Sequence, residues 1–367
     1  MTTRGVVMIG SFPPPVGGAA LVNQMVLDAL RSRGTATMPL DVSGPALAHS
    51  RSLGYHVQRI AANLRVARQA RNAAHDAGTL YIVPDAGAGA WYTAGLVGAA
   101  GDRFDRIVVH HHSCRYIEED SRPIAWLTER TRSVATHVFL TKGMSDAFRA
   151  RYGAVETLVA TNVRFVAQEA HSSLPSAASG TIRLGHLSNL CADKGFFAAA
   201  NTFEAARAHG LDVSLTLAGP ILEQMVSQRI AELVTRHGDR VRHLGALSGE
   251  AKRDFYRSID LFLFPTRFRQ EAAPLVIYEA LAAGVPVLST DRGVIPELLT
   301  GPYGAACARD ADFASFAVDW MAHNSRDDDG RLERAKAIKH HIRAACAVSQ
   351  EQYDHLLSLL SHGGART

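Results

Sequence analysis

No run of about eighteen uninterrupted apolar residues occurs in the 367-residue sequence, so no membrane-spanning helix is expected. The opening ten residues hold one arginine and an apolar run too short for a secretory signal; a first strand fits it better. The four cysteines, Cys114, Cys191, Cys307 and Cys346, form neither a C-x-x-C pair nor a zinc-ligand spacing. Reduced thiols are therefore expected, and with them a cytoplasmic setting. There is no low-complexity tract, no internal repeat and no G-x-G-x-x-G dinucleotide fingerprint. A basic-aromatic module is also lacking, and the net charge is only +4, so nucleic acid is not an expected partner. Acidic residues are missing altogether between Asp41 and Asp76, where Arg51, Arg59, Arg65, Arg68 and Arg71 fall. Residues 1–168 carry 18 Lys and Arg against 12 Asp and Glu, and the remainder is slightly acidic. A basic first half suits an anionic partner.

Hydrophobic residues make up 47% and charged residues 20%, ordinary values for a globular protein whose length suggests two domains. In the first half, strand-like runs at Gly5–Gly10, Thr79–Val83, Ile107–His110, Val138–Leu140 and Thr157–Ala160 alternate with helical patterns such as Ala19–Arg31. The small, polar stretch 167–180 breaks the rhythm and reads as a linker. Strands are then expected at Ile182–His186, Val213–Ala218, Val241–Leu244, Leu261–Pro265 and Val285–Ser289. Helices are expected at Phe196–His209, Ile221–Arg236, Lys252–Ser258 and Pro274–Ala283. Alternating strands and helices predict α/β architecture: two Rossmann-like, doubly wound domains at 1–168 and 181–345, joined by a linker at 169–180. A C-terminal helix at 346–367 would return to the first domain.

The sharpest local pattern is RQEAAPLVIYEALAAGVPVLST, from Arg269 to Thr290. Pro274 suits a first helical position, and Gly284 suits the stop. Amides at the helix start, those of Leu275 and Val276, can bind a diphosphate with help from the helix dipole. Carboxylates offer paired acceptors for sugar hydroxyls, which suits Glu271 in the loop and Glu279 in the helix. Their eight-residue separation and the PLVIYEALAAGVPV context resemble the E-x7-E motif of retaining family 4 glycosyltransferases, which have the GT-B fold.

The same family has a G-R-L-x-x-x-K-G-like loop, to which Leu184–Gly195 (LGHLSNLCADKG) is similar. Lys194 and Gly195 match, but Asn189 stands where the family has Arg. Charge neutralisation on a leaving diphosphate would therefore rest mostly on Lys194 and backbone amides. The loop Ser11–Gly18 (SFPPPVGG) resembles the family's PPxxGG segment, in which Gly17 and Gly18 permit close backbone approach or a positive φ. His110, His111 and His112 follow the strand Ile107–Val109, and the resemblance selects His112, with His110 as the second choice. Metal binding by all three is disfavoured because side chains alternate along an extended chain. Further likeness extends over Phe139–Tyr152 and Thr290–Glu297.

The resemblance implies a glycosyltransferase whose active site lies in a cleft between the domains, transferring a sugar from a nucleotide diphosphate sugar to a hydroxyl acceptor. The anomeric configuration would be retained by same-face displacement, as in cell-surface polysaccharide or glycolipid synthesis. His112, Lys194 and Glu271 would be catalytic. Gly17, Gly18, Asn189, Lys194, Glu271, Leu275, Val276 and Glu279 would bind the donor. No D-x-D-type acidic pair precedes Glu271, so no metal or other cofactor is expected. Two other readings remain open: a sugar-nucleotide epimerase of the same shape, and a degenerate transferase serving as a scaffold. Finally, Leu53, Val57, Ile60, Leu64 and Ala67 fall at helical spacing among the arginines of 51–71. The ordinary expectation is a core-facing helix with solvated arginines. The alternative is an amphipathic helix lying on an anionic membrane at the inner face, where a lipid-linked acceptor would reside.

Overall fold

The computed structural model describes residues 4–14, 17–43, 53–166, 180–324 and 328–361, with the side chains of 53–56 and 328 excluded. The chain divides into two compact units, residues 1–162 with 349–367 and residues 163–348. The expected linker at 169–180 lies outside the described residues except for Gly180.

In chain order the first unit contains β1 (Gly5–Gly10), α1 (Gly18–Ser32), β2 (Thr37–Asp41), α2 (Leu53–Ala73), β3 (Ala77–Ile82) and α3 (Ala90–Ala100). Then follow β4 (Arg106–His110), α4 (Arg115–Glu118), α5 (Arg122–Thr131), β5 (Ala135–Phe139), α6 (Lys142–Tyr152) and β6 (Glu156–Val159). The second unit begins with β7 (Ile182–Leu187), α7 (Phe196–Ala208), β8 (Val213–Ala218), α8 (Gln224–His237), β9 (Val241–His243) and α9 (Gly249–Arg257). It continues with β10 (Leu261–Phe264), α10 (Leu275–Ala282), β11 (Val287–Thr290), α11 (Ile295–Leu298), β12 (Gly304–Cys307) and α12 (Phe313–Asn324). The last helix, α13, runs over Asp328–Ser361 and so starts well before the expected position 346; residues from Ser349 onward belong to the first unit.

Each unit is built on a six-stranded sheet, ordered β2-β1-β3-β4-β5-β6 and β12-β11-β10-β7-β8-β9. All pairings are parallel, as in Val6 opposite Thr37 and Leu261 opposite Leu184. The near-continuous burial of β1, β3 and β5 is what a parallel sheet covered by helices requires. Order reverses between β1 and β3 in one sheet and between β7 and β10 in the other. Such a switch point opens a crevice at the carboxyl ends of the two strands. Two strands escape the sequence pattern, and both are sheet edges. β2 carries Pro39 and is only partly buried, tolerable because an edge strand needs one fewer ladder bond. β12 reads Gly-Ala-Ala-Cys and lacks the branched and aromatic residues that signal a strand.

The first core gathers Val7, Leu80 and Val109 from the sheet against Val66 and Ala70 of α2, Leu96 and Val97 of α3, and Leu127 of α5. Helix α2 corrects the ordinary expectation for its apolar stripe. Its buried face is Val66, Ala67 and Ala70, with Ala74 just after its end, whereas Val57, Ile60 and Leu64 are 60%, 49% and 67% exposed. Of the expected stripe only Ala67 faces the core; the side chain of Leu53 lies outside the described residues. Small alanines let the helix approach the sheet closely, and the larger side chains are left on the outside. In the second unit Leu184, Leu215 and Leu263 pack with Phe196 and Phe203 of α7, Ile230 of α8 and Phe313 of α12.

Candidate active site

The two loops that leave the β7/β10 switch point carry opposite charges that meet. The loop after β7 ends in Lys194 and Gly195, and Gly195 adopts φ 85° immediately before α7. A Cβ at that position would strike the Pro265 carbonyl oxygen, so only glycine lets the loop lie against the end of β10. The Arg267 amide donates to the Asp193 carbonyl at 2.8 Å, which stitches the two loops together. Lys194 Nζ then donates to Glu271 Oε2 at 2.6 Å, and its ammonium lies 4.2 Å from the centre of the Phe268 ring. The Thr266 hydroxyl donates to the same carboxylate oxygen at 3.1 Å. The Lys194 and Glu271 side chains are 22% and 10% exposed, so the pair is partly desolvated yet open at one edge.

Behind Glu271 runs the segment expected to follow it. Gly293 has φ 55°, and a Cβ there would lie 2.5 Å from the Glu271 carbonyl oxygen. The Val294 amide donates to the Ala272 carbonyl at 3.2 Å. The structure places Pro274 at the cap, in an extended conformation, and starts α10 at Leu275, one residue later than expected. The helix still presents its first amides toward the loop that carries Glu271, since the first turn has no intrahelical acceptors for them. Leu275 is buried and Val276 half-buried, so these residues contribute backbone rather than exposed side chain. At the other end Gly284 takes φ 84°, and the Val285 amide donates to the Ala280 carbonyl at 2.9 Å, the expected glycine stop.

Glu279 is buried and already partnered. Lys252 Nζ donates to its Oε1 at 2.5 Å, and the Tyr256 hydroxyl donates to its Oε2 at 2.9 Å. Both partners come from α9 and were not legible in the sequence, because no local spacing links α9 to α10. Asn189 is exposed on the loop after β7. Beneath it His186 is fully buried: its Nδ1 faces the Leu263 carbonyl at 2.9 Å and its Nε2 faces the Ser188 hydroxyl at 3.0 Å. The carbonyl accepts only, which assigns the proton to Nδ1 and leaves Nε2 to accept from Ser188. Burial pushes His186 down to about 4, so it is neutral and supports the loop rather than carrying charge. Sequence reading passed over His186, Thr266 and Phe268; their proximity to the motif was the only signal.

The remaining candidates belong to the first unit. Gly17 caps α1 with φ −146°, and neither Gly17 nor Gly18 has a positive φ, contrary to one of the two reasons given for them. A Cβ at either would meet nothing within 4 Å, so the protein's own packing does not demand glycine there. At the end of β4 the three histidines alternate, as their extended backbone dictates. His111 points one way, with Nε2 2.9 Å from His137 Nδ1 and Nδ1 2.9 Å from the Tyr116 hydroxyl. His110 and His112 point the other way, ring centres 4.1 Å apart. His110 is sealed, its Nδ1 2.7 Å from the Tyr81 hydroxyl, whereas His112 is mostly buried with its Nε2 enclosed. Burial pushes His112 down to about 4, leaving a neutral imidazole. Among the described residues no group of three or more His, Cys, Asp or Glu is placed to hold a metal ion.

Two doubly wound units, with a polar constellation at the second switch point, define the class: an α/β protein of the GT-B fold. Residues 181–322, within the second unit, match the family model described as glycosyl transferases group 1. A curated relative, the lipopolysaccharide core biosynthesis mannosyltransferase LpsB of Rhizobium meliloti (strain 1021), is 37% identical over 106 residues. That match covers 26% of this chain and 30% of the relative, less than a third of its length. Anabaena Alr3699/HepE in complex with UDP-glucose has a TM-score of 0.66 at 17% identity, covering 96% of this chain and 99% of that one. Sucrose-phosphate synthase (tll1590) from Thermosynechococcus elongatus has a TM-score of 0.67 at 16% identity, covering 97% and 100%. At these identities the structural likeness speaks to the fold.

Proposed function

We propose that the protein transfers a sugar from a nucleotide diphosphate sugar to a hydroxyl acceptor with retention of configuration, without a metal, in the cytoplasm. The observation that carries this reading is the Lys194–Glu271 pair at the β7/β10 switch point, beside the start of α10. In this reading the donor diphosphate takes the α10 amides and draws the Lys194 ammonium, which then neutralises charge on the leaving phosphate. Glu271, relieved of part of its ion pair, accepts from hydroxyls of the transferred sugar. Glu279 accepts from the ribose through lone pairs that Lys252 and Tyr256 leave open. No carboxylate of the constellation serves as a nucleophile; the acceptor hydroxyl attacks the face from which the phosphate departs, and the departing phosphate oxygen takes the hydroxyl proton. In the first unit, His112 contributes a neutral hydrogen-bonding imidazole, and Gly17 and Gly18 leave room for a ligand against the start of α1. The mannosyl transfer and UDP-glucose named for the relatives support a hexose donor carried on a nucleotide.

The test is a thermal-shift panel of UDP-, GDP-, ADP- and dTDP-sugars on the wild-type protein, Lys194→Ala and Glu279→Ala. Stabilisation by one nucleotide class, lost in both variants, supports the site and names the base. Absence of stabilisation by every member counts against it. Transfer that stops with a chelator and returns with a divalent ion would remove the metal-independent part.

A further inference from the structure

The solvent side of the first unit's helical layer is unusually apolar where α2, α3 and α5 lie side by side on one face of the sheet. On α2, Val57, Ile60 and Leu64 are 60%, 49% and 67% exposed. The neighbouring α3, Ala-Trp-Tyr-Thr-Ala-Gly-Leu-Val-Gly-Ala-Ala, has no charged residue at all, and its Trp91 is 57% exposed. α5 adds Trp126, 44% exposed, whose ring would lie 3.0 Å from a Cβ at Gly98 and so spreads over the outer surface of α3. The elements are tied together: Arg59 of α2 pairs with Asp85 and stacks 5.0 Å over Tyr92, and Arg71 donates to the Ala99 carbonyl. Isolated exposed apolar residues are normal, but a contiguous set on three adjacent helices marks a surface that meets something.

The charge around this surface says what it meets. α2 contributes exposed Arg65 and Arg68, and no acidic residue occurs between Asp41 and Asp76. α5 contributes exposed Arg130. The acids that face these helices are few: Asp102 stands 3.9 Å from Arg71, Glu129 is taken by Arg132 at 2.7 Å, and Asp85 by Arg59. Branched aliphatics and tryptophans beside arginines fit a bilayer interface, where apolar groups enter the acyl boundary, indoles sit at headgroup depth and guanidinium groups meet lipid phosphates. No helix among the described residues is long and apolar enough to cross a membrane, so the contact is with its surface.

We propose that the outer face of α2, α3 and α5 docks the protein on an anionic lipid surface. This goes beyond the sugar-transfer reading and stands or falls separately from it. The test is co-sedimentation of the full chain with vesicles of phosphatidylcholine alone and of phosphatidylcholine mixed with phosphatidylglycerol. Binding is expected to the mixed vesicles and to fall with salt. Replacing both Arg65 and Arg68 by Ser should weaken it by about fivefold per arginine. Ile60→Ser with Leu64→Ser should weaken it by about tenfold or more, since two exposed side chains lose their apolar burial in the lipid. All four positions are on the surface, so unchanged thermal midpoints keep a loss of binding from being a loss of fold. Failure to bind the mixed vesicles, binding indifferent to these changes, or a stable dimer that the Ile60 and Leu64 changes dissolve would overturn the proposal.

Discussion

Lys194 Nζ lies 2.6 Å from Glu271 Oε2, although 77 positions separate the two residues in sequence. The contact exists because β7 and β10 are neighbours across a switch point, so their carboxyl-end loops face each other. Lys194→Ala removes the one lysine on these loops that reaches Glu271, while Thr266 still donates to the carboxylate. Donor turnover should fall by about a hundredfold or more, the usual consequence of losing a charge stabiliser at a leaving group. Steady-state kinetics decides it: near-normal turnover by this variant refutes the role given to Lys194.

Glu279 sets a different trap, because it is structural as well as a candidate ligand. Glu279→Ala takes the acceptor from the Lys252 ammonium and leaves the Tyr256 hydroxyl with its longer bond to the Val276 carbonyl at 3.3 Å, at a cost of about 1–3 kcal/mol. Tyr256→Phe removes one donor and leaves the carboxylate, at a cost of about 1 kcal/mol. Denaturant unfolding should rank them in that order. Donor affinity should fall strongly in Glu279→Ala and little in Tyr256→Phe; equal losses would make Glu279 a packing residue only.

The glycines separate into two kinds. Gly293→Ala must hold φ 55° with a methyl against the Glu271 and Ala272 carbonyl oxygens, at a cost of about 2 kcal/mol or more. It should therefore lower the melting temperature and displace Glu271. Gly18→Ala meets nothing and sits in the first turn of α1, so the melting temperature should hold or rise. If a ligand approaches there, donor-induced stabilisation should shrink in Gly18→Ala all the same. Undiminished stabilisation would take Gly17 and Gly18 out of the site.

Acid should weaken both units through buried neutral imidazoles. Burial pushes His137 and His186 down to about 4 and holds His110 and His111 well below their usual value. A histidine whose folded pKa is depressed takes up its proton in the unfolded chain first. Stability is then complete above the unfolded value near 6.5 and is lost as pH falls from there toward about 4. Melting temperatures measured from pH 7.5 to 4 should be flat at first and then fall. A midpoint that rises between pH 6.5 and 4.5 would contradict the burial of these rings.

The local grammar of the sequence determined much of this protein. Buried β-branched runs specified the central strands, and Gly284 specified the end of α10, because these signals act within a few residues. The same is true of the E-x7-E spacing, which fixes where Glu271 and Glu279 stand on a loop and the helix after it. Two edge strands were not legible: β2, where Pro39 interrupts the run, and β12, where the side chains are small, as at Ala305 and Ala306. Tertiary structure alone decided which partners those carboxylates would have: Lys252 and Tyr256 reach Glu279 from α9, and Thr266 joins Lys194 on Glu271. It also decided which face of α2 would be buried. Helical spacing reports that Val57, Ile60 and Leu64 share a side, but only close packing of Ala67, Ala70 and Ala74 against the first core turns that side outward.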